Sequence, residues 1–188
     1  MPDLPQRVLV LGIGNILWAD EGFGVRAVET FHATWQVPAH VTVMDGGTQG
    51  LYLVHHVQEA DALLVFDAID YGLAPGTLRV VRDAEVPRFT GAKKMSLHQT
   101  GFQDVLSAAE FTGRCPSRLA LVGCQPVDLE NWGAPLTPPV RDAIAPALQA
   151  AGQVLAEWGV ALDRRRAAPP GLLANDCDFA GYERRGTG

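Results

Sequence analysis

Cysteine is scarce in this sequence, and net positive charge is absent. The 188 residues include three cysteines, Cys115, Cys124 and Cys177, and no two of them have the C-x-x-C spacing. This odd number argues against a disulfide framework, and the spacing argues against a thiolate zinc site. The formal net charge of −6 argues against a nucleic-acid-binding surface and against a face for anionic membranes.

A long hydrophobic run is also missing. The longest apolar stretch near the N-terminus, residues 8–18, is interrupted by two glycines and an asparagine, and it is too short to span a bilayer. The stretch lacks the basic start and the small-residue cleavage site of a signal peptide. We therefore expect a cytoplasmic protein without a membrane partner.

Nucleophilic side chains are few. The only serines are Ser96, Ser107 and Ser117, and neither a G-x-S-x-G elbow nor an H-E-x-x-H zinc helix occurs. Ser96 lies two residues before His98, which is too local to indicate a catalytic pair. Cys124 ends an apolar run and is expected to pack in the core. The sequence therefore offers no evident serine or cysteine nucleophile.

Alternating apolar patterns predict an α/β fold. Hydrophobic residues make up 47% of the chain and charged residues 19%, which is typical of one globular domain. Unalternating apolar runs predict parallel strands that are covered on both faces, and helical spacing predicts helices between them. The predicted strands are residues 7–11, 41–44, 62–66 and 119–122, with 77–82 as an additional edge strand. The predicted helices are residues 22–35, 51–58, 101–111 and 138–158.

The chain changes character near residue 163. Residues 163–188 are charged and rich in proline and glycine, unlike the periodic segments before them. We therefore expect a single α/β domain over residues 1–162, followed by a tail that is mobile or loosely docked.

The loop after the first strand, in VLVLGIGNILWADEGFGV, has three interpretations. A dinucleotide-binding fingerprint would need a third glycine where Leu17 stands, and its phosphate would meet the carboxylates of Asp20 and Glu21. A structural interpretation makes Asp20 the N-cap of the following helix. A third interpretation is a cation site that includes Glu21.

Other possible metal ligands lie where predicted strands end. Asp45 and Asp67 each follow an apolar strand, and His98 is predicted in the loop before the helix at Gly101. Ligands of open α/β sheets bind beyond the carboxyl ends of the strands. Glu21, Asp67 and His98 would form a mixed oxygen and nitrogen set there, which suits nickel, zinc or iron better than calcium or magnesium. From the pattern alone, each residue also fits a helix cap or a solvated loop.

Five segments carry a family resemblance over residues 7–158. They are GIGNILWADEGFGVRAVE, DGGTQGLYL, LLVFDAIDYGLAPGTLR, KKMSLHQTGFQDVL and LVGCQP. In order and spacing they resemble the hydrogenase maturation endopeptidases, in particular those that serve membrane-bound uptake [NiFe]-hydrogenases. The resemblance implies a three-layer fold, with a twisted five-stranded sheet between helices. It also implies removal of a C-terminal extension from the large-subunit precursor after nickel insertion.

The resemblance assigns roles to four residues. The metal-contacting positions of the family fall on Glu21, Asp67 and His98, and Asp45 in the DGGT motif is implied to matter for activity. The hypothesis is metal-assisted peptide cleavage, in which nickel belongs to the substrate and no organic cofactor takes part. Asp45 or one of the carboxylates of Glu21 and Asp67 would orient the attacking water. The DGG segment is not an aspartic-protease motif, since that mechanism needs two close carboxylates that share a proton.

Two other functions stay open. A nickel-sensing chaperone of the same fold would hold the hydrogenase large subunit without cutting it. A nucleotide-binding α/β protein is the third possibility, and Leu17 and Glu21 argue against it.

Overall fold

A five-stranded sheet forms the centre of the computed structural model, which describes residues 4–86, 97–167, 169–173 and 177–183; the side chains of residues 97–101 and 183 lie outside this description. Its strands are β1 (Val8–Ile13), β3 (Val41–Gly47), β4 (Ala62–Ala68), β5 (Leu78–Arg82) and β6 (Arg118–Cys124), and β2 (Trp35–Gln36) lies outside this sheet. The order across the sheet is β3-β1-β4-β6-β5. Four of them are parallel, and β5 pairs antiparallel with β6 at one edge. The mainly parallel sheet and the edge strand are confirmed.

The central strands are buried on both faces. Every residue of β1 and β4 is buried, as unalternating apolar runs predict. Edge strand β5 instead buries Val81 and exposes Arg79, Val80 and Arg82. Exposed arginines on an edge strand oppose pairing with other chains.

Helices cover both faces and complete three layers. The first face packs against α1 (Phe23–Thr34), α4 (Pro138–Asp142) and α5 (Ile144–Glu157), and the second against α2 (Val54–Glu59) and α3 (Leu97–Phe111). Each face has its own apolar core. None of the helices in the described residues has the length and apolar character that a bilayer span requires.

Two predicted helix boundaries are wrong. The single helix predicted over residues 138–158 is divided at Ala143, because Pro146 has no N–H to donate to the carbonyl of Asp142. Helix α3 begins at Leu97 rather than at Gly101. Gly101 is tolerated inside the helix, so His98 belongs to its first turn and not to the preceding loop.

The segment beyond residue 162 contacts helix α1. Strand β7 (Asp163–Arg164) pairs antiparallel with β2 (Trp35–Gln36) just after α1. Arg165 Nε donates to the carbonyls of His32 and Trp35 at 2.8 and 3.0 Å. The boundary at residue 162 stays a prediction.

A short helix, α6 (Phe179–Glu183), packs over a buried arginine. Arg26 of α1 is 1% exposed, and its Nη1 donates to the carbonyl of Cys177 at 2.7 Å and to Glu29 at 3.1 Å. Its guanidinium carbon lies 5.7 Å from the ring centroid of Phe179 and 5.2 Å from that of Tyr182. Its Nη2 finds no hydrogen-bond partner among the described residues.

Candidate active site

Backbone hydrogen bonds fix the position of Glu21 in the loop that follows β1. It lies in a 3₁₀ helix, Ala19–Gly22, within the first loop, which we define as residues 14–22. Its N–H donates to the carbonyl of Trp18 at 2.9 Å, and its carbonyl accepts from the N–H of Asn15 at 3.1 Å. Gly14 has φ +143°, and a Cβ there would overlap the carbonyl oxygen of Glu21. Only glycine permits this approach.

Asp67 lies at the carboxyl edge of the sheet, which we define as the edge where the parallel strands end. It is the penultimate residue of β4, and its side chain is 5% exposed. Its neighbours at alternate positions, Leu63 and Val65, belong to the core beneath α2 and α3. Asp67 therefore faces the α3 layer.

The carboxyl groups of Glu21 and Asp67 form an electrostatic pair. Burial raises the pKa of Glu21 to about 7. Burial also raises the pKa of Asp67 well above its ordinary value; the N–H of Ala68 opposes the rise, and the charge of Glu21 adds to it. Desolvation favours the neutral acid, and a neighbouring carboxylate does the same. The structure thus brings these two predicted ligands together.

Asp45 lies on the opposite face of the sheet from Asp67. Gly12 of β1 pairs in register with Asp45 of β3 on one side and with Phe66 of β4 on the other. Residues in register share a face of the sheet, and Phe66 belongs to the core beneath α1. Burial raises the pKa of Asp45, while the Gly47 N–H at 2.8 Å and the charge of Arg26 lower it. Asp45 therefore shapes the end of β3, at Gly46 and Gly47, and faces the α1 layer.

The backbone of His98 is at the same edge as Glu21 and Asp67. Helix α3 has 15 residues, about 22 Å long, and leads into β6 at the opposite edge, where the Ser117 N–H donates to the Asp61 carbonyl at 3.0 Å. The first turn of α3 consequently lies at the carboxyl edge. The imidazole of His98 is outside the described residues. The described side chains alone contain no three-residue His, Cys, Asp or Glu group placed to hold a metal ion.

The predicted role of Asp20 as a helix N-cap is wrong. The N-cap of α1 is Gly22, and no side chain caps the helix. The carboxylate of Asp20 is fully buried and binds instead to the segment after β6. Those partners follow Asp20 by more than 100 residues, so local sequence patterns contain no signal for them.

Tyr71 is a second feature that the sequence pattern does not reveal. A Cβ at Gly123 would overlap its hydroxyl oxygen, and Gly123 is the β6 partner of Asp67 in the sheet. Burial raises the pKa of Tyr71, and the charge of Asp67 adds to the rise. The guanidinium of Arg79 lies 5.7 Å from the tyrosine ring centroid. A glycine inside an apolar strand is the one sequence sign of this close approach.

The described side chains of Cys124, Cys115 and Ser117 do not face the carboxyl pair. Cys124 is fully buried in the core beneath α1, and burial raises the pKa of its thiol to about 12. Cys115 follows α3 at the opposite edge, where the Ser117 hydroxyl donates to the Asp61 carbonyl at 3.1 Å. Ser96 lies outside the described residues. Among the described side chains, the carboxyl pair is therefore better placed to activate a water molecule than to activate a serine or cysteine nucleophile.

Comparison with known proteins identifies the family. A family model described as hydrogenase maturation protease matches residues 25–154. The chain belongs to the hydrogenase maturation protease family. The resemblance carried by the five sequence segments is thereby confirmed.

Relatives of this maturation protease match most of its length. It is 70% identical to the hydrogenase expression/formation protein HupD of Bradyrhizobium diazoefficiens, covering 98% of this chain and 99% of that one. It is 46% identical to the hydrogenase 2 maturation protease of Escherichia coli, covering 82% and 94%. The solved structure of the hydrogenase maturating endopeptidase HybD from E. coli matches with a TM-score of 0.80 and 45% identity, covering 85% and 98%. This maturation protease is accordingly an endopeptidase with the three-layer α/β fold of that structure.

Proposed function

We propose that this endopeptidase removes the C-terminal extension of the [NiFe]-hydrogenase large-subunit precursor after nickel has been inserted. The observation that carries the proposal is the desolvated pair of carboxyl groups, Glu21 and Asp67, at the carboxyl edge. The first turn of α3, with His98, lies at the same edge. Two carboxylates and an imidazole suit a nickel ion that the substrate supplies.

The raised pKa values of Glu21 and Asp67 favour the protonated carboxyl groups until a cation binds. With a pKa of about 7, the Glu21 carboxyl is about half protonated near pH 7, and burial raises the pKa of Asp67 well above its ordinary value. A divalent cation binds the ionised carboxylates and displaces their protons. A precursor without nickel offers no such exchange, which supports cleavage that depends on nickel.

The cleavage chemistry follows from the groups at this edge. Nickel in the substrate polarises a carbonyl or lowers the pKa of a bound water. We assign the orientation of the attacking water to Glu21 or Asp67, because Asp45 faces the other layer of the sheet. Asp45 would then contribute by fixing the end of β3, through its hydrogen bond with Gly47.

A cleavage assay tests the proposal. The large-subunit precursor, with and without nickel, is incubated with the wild-type chain and with Glu21→Gln, Asp67→Asn and His98→Ala, and its mass is measured. We expect loss of a C-terminal peptide only from the nickel-loaded precursor, with the wild-type chain but with none of these three variants. Glu85→Gln is a matched control, because Glu85 is exposed beyond β5.

Each other outcome has a defined meaning. Binding of the precursor without any change in its mass would favour the nickel-sensing chaperone. Equal cleavage with and without nickel would remove the nickel requirement. Cleavage at the wild-type rate by Glu21→Gln would show that the carboxyl pair is not the active site.

A further inference from the structure

Asp20 joins two loops at the carboxyl edge, and the first of them is the loop that carries Glu21. The second is the β6 loop, which we define as residues 125–137. Oδ2 of Asp20 accepts from the N–H groups of Val127 and Asp128 at 2.8 and 3.0 Å and from Oγ1 of Thr137 at 2.9 Å. Oδ1 accepts from the Thr137 N–H at 2.7 Å. A fully buried carboxylate thus accepts four hydrogen bonds from one loop.

Backbone and aromatic contacts extend this junction. The Asp20 N–H donates to the Asp128 carbonyl at 3.0 Å, and the Gly133 N–H donates to the Leu17 carbonyl at 2.8 Å. The rings of Trp18 and Trp132 meet edge to face, with centroids 5.1 Å apart. The first loop is therefore fixed to the β6 loop at several points along its length.

The residue before Asp20 has a strained backbone. Ala19 has φ +39° and is buried. A non-glycine residue with this positive φ is strained and persists where its surroundings determine the conformation. Such strain concentrates at functional sites. The junction with the β6 loop supplies the surrounding contacts here.

Glu21 depends on the shape that this junction imposes. Its N–H and carbonyl both bond within the first loop, to Trp18 and Asn15. We propose that Asp20 is a positioning residue that fixes the Glu21 carboxyl at the active site by holding the first loop against the β6 loop. This inference rests on the proposed function, since it requires Glu21 to act in cleavage.

The effect of a substitution at Asp20 follows from the hydrogen-bond donors that surround its carboxylate. All four groups at the Asp20 carboxylate donate to it. In Asp20→Asn, one oxygen becomes an NH₂ group that faces donors, so at least one buried donor loses its partner. Thr137→Val removes only the hydroxyl bond and keeps the side-chain shape. Thr137→Ser keeps the hydroxyl.

Steady-state cleavage of nickel-loaded precursor tests the inference. We expect kcat to fall about 10-fold in Thr137→Val and about 100-fold in Asp20→Asn, in the range seen when partners of metal ligands are removed. KM should change less than two-fold, because a small displacement of a reacting group affects the transition state more than docking. Thr137→Ser should restore kcat.

Asp61→Asn is the matched control. The Asp61 carboxylate also accepts from two backbone N–H groups, those of Gln6 and Arg7 at 3.0 and 2.8 Å, but at the opposite edge of the sheet. All variants are assayed well below their unfolding midpoints. If kcat fell as much in Asp61→Asn as in Asp20→Asn, the loss would reflect a general loss of stability. This result would overturn the inference.

Two further outcomes separate this inference from the proposed function. Wild-type kcat in Asp20→Asn and Thr137→Val, with Glu21→Gln inactive, would overturn positioning by Asp20 and leave the proposed function intact. Wild-type kcat in Glu21→Gln would overturn both, since no acting carboxylate would then need positioning.

Discussion

Replacing Glu21 by glutamine is expected to stabilise the folded protein at pH 8 while removing its activity. The folded chain raises the pKa of this carboxyl from its ordinary 4.5 to about 7 by burial. The folded state therefore binds the proton more tightly than the unfolded state. The contribution of this group to stability is full below pH 4.5, falls as pH rises toward 7 and stays low above it.

The size of the effect follows from the shift. A rise of about 2.5 in pKa corresponds to about 3 kcal/mol at pH 8. Glu21 is only half-buried, so water screens part of this cost. We expect Glu21→Gln to gain about 1 to 2 kcal/mol in the free energy of unfolding at pH 8, and much less at pH 5. Loss of the Glu21 charge also relieves Asp67, whose pKa it raises.

Urea unfolding at pH 8 and pH 5 measures this difference, with Glu85→Gln as the exposed control. The control should change the free energy of unfolding by less than about 0.5 kcal/mol at either pH. An equal gain at both pH values would refute an origin in the ionisation of Glu21. A loss of stability at pH 8 would refute the desolvation argument altogether.

Four other substitutions test the first loop, helix α1 and the docking of residues 177–183. Gly14→Ala should lower the free energy of unfolding by about 2 to 4 kcal/mol, because its Cβ overlaps the Glu21 carbonyl; a urea midpoint near wild type would contradict this. Ala19→Gly should gain up to about 1 kcal/mol by relieving φ +39°, whereas Ala27→Gly inside α1 should lose about 1 kcal/mol; thermal unfolding compares them. Arg26→Met should release residues 177–183, so chymotrypsin should cleave at Phe179 or Tyr182 at least about 10-fold faster than in the wild type; an unchanged rate would show that Arg26 does not hold this segment.

Strand ends were the most informative part of the sequence. An apolar run that ends in aspartate, as at Asp67, predicts a carboxylate at the carboxyl edge of a parallel sheet. The same argument predicts that Glu21, in the loop after β1, lies at this edge together with Asp67. It does not tell which face a side chain occupies, because runs buried on both faces lack alternation. The separation of Asp45 from Asp67 therefore appears only once the strand register is known.

Contacts distant in sequence were not predictable. Asp20 precedes Thr137 by 117 residues, and an aspartate just before a helix fits the local pattern of an N-cap equally well. The hydroxyl of Tyr71 lies over Gly123. The conformation of the loop that carries Tyr71 depends on Gln125, whose side-chain oxygen accepts from the Tyr71 N–H at 2.8 Å. Local propensity and periodicity carry no information on such pairings.

The docking of residues 177–183 on Arg26 has a consequence for biosynthesis. The Cys177 carbonyl that accepts from this guanidinium lies 151 residues further along the chain. At ribosomal speeds of about 5 to 20 residues per second, roughly 8 to 30 seconds separate the two. Until then Arg26 cannot contact this carbonyl or the rings of Phe179 and Tyr182. The layer that residues 177–183 form over α1 can therefore be completed only after nearly all of the chain has been synthesised.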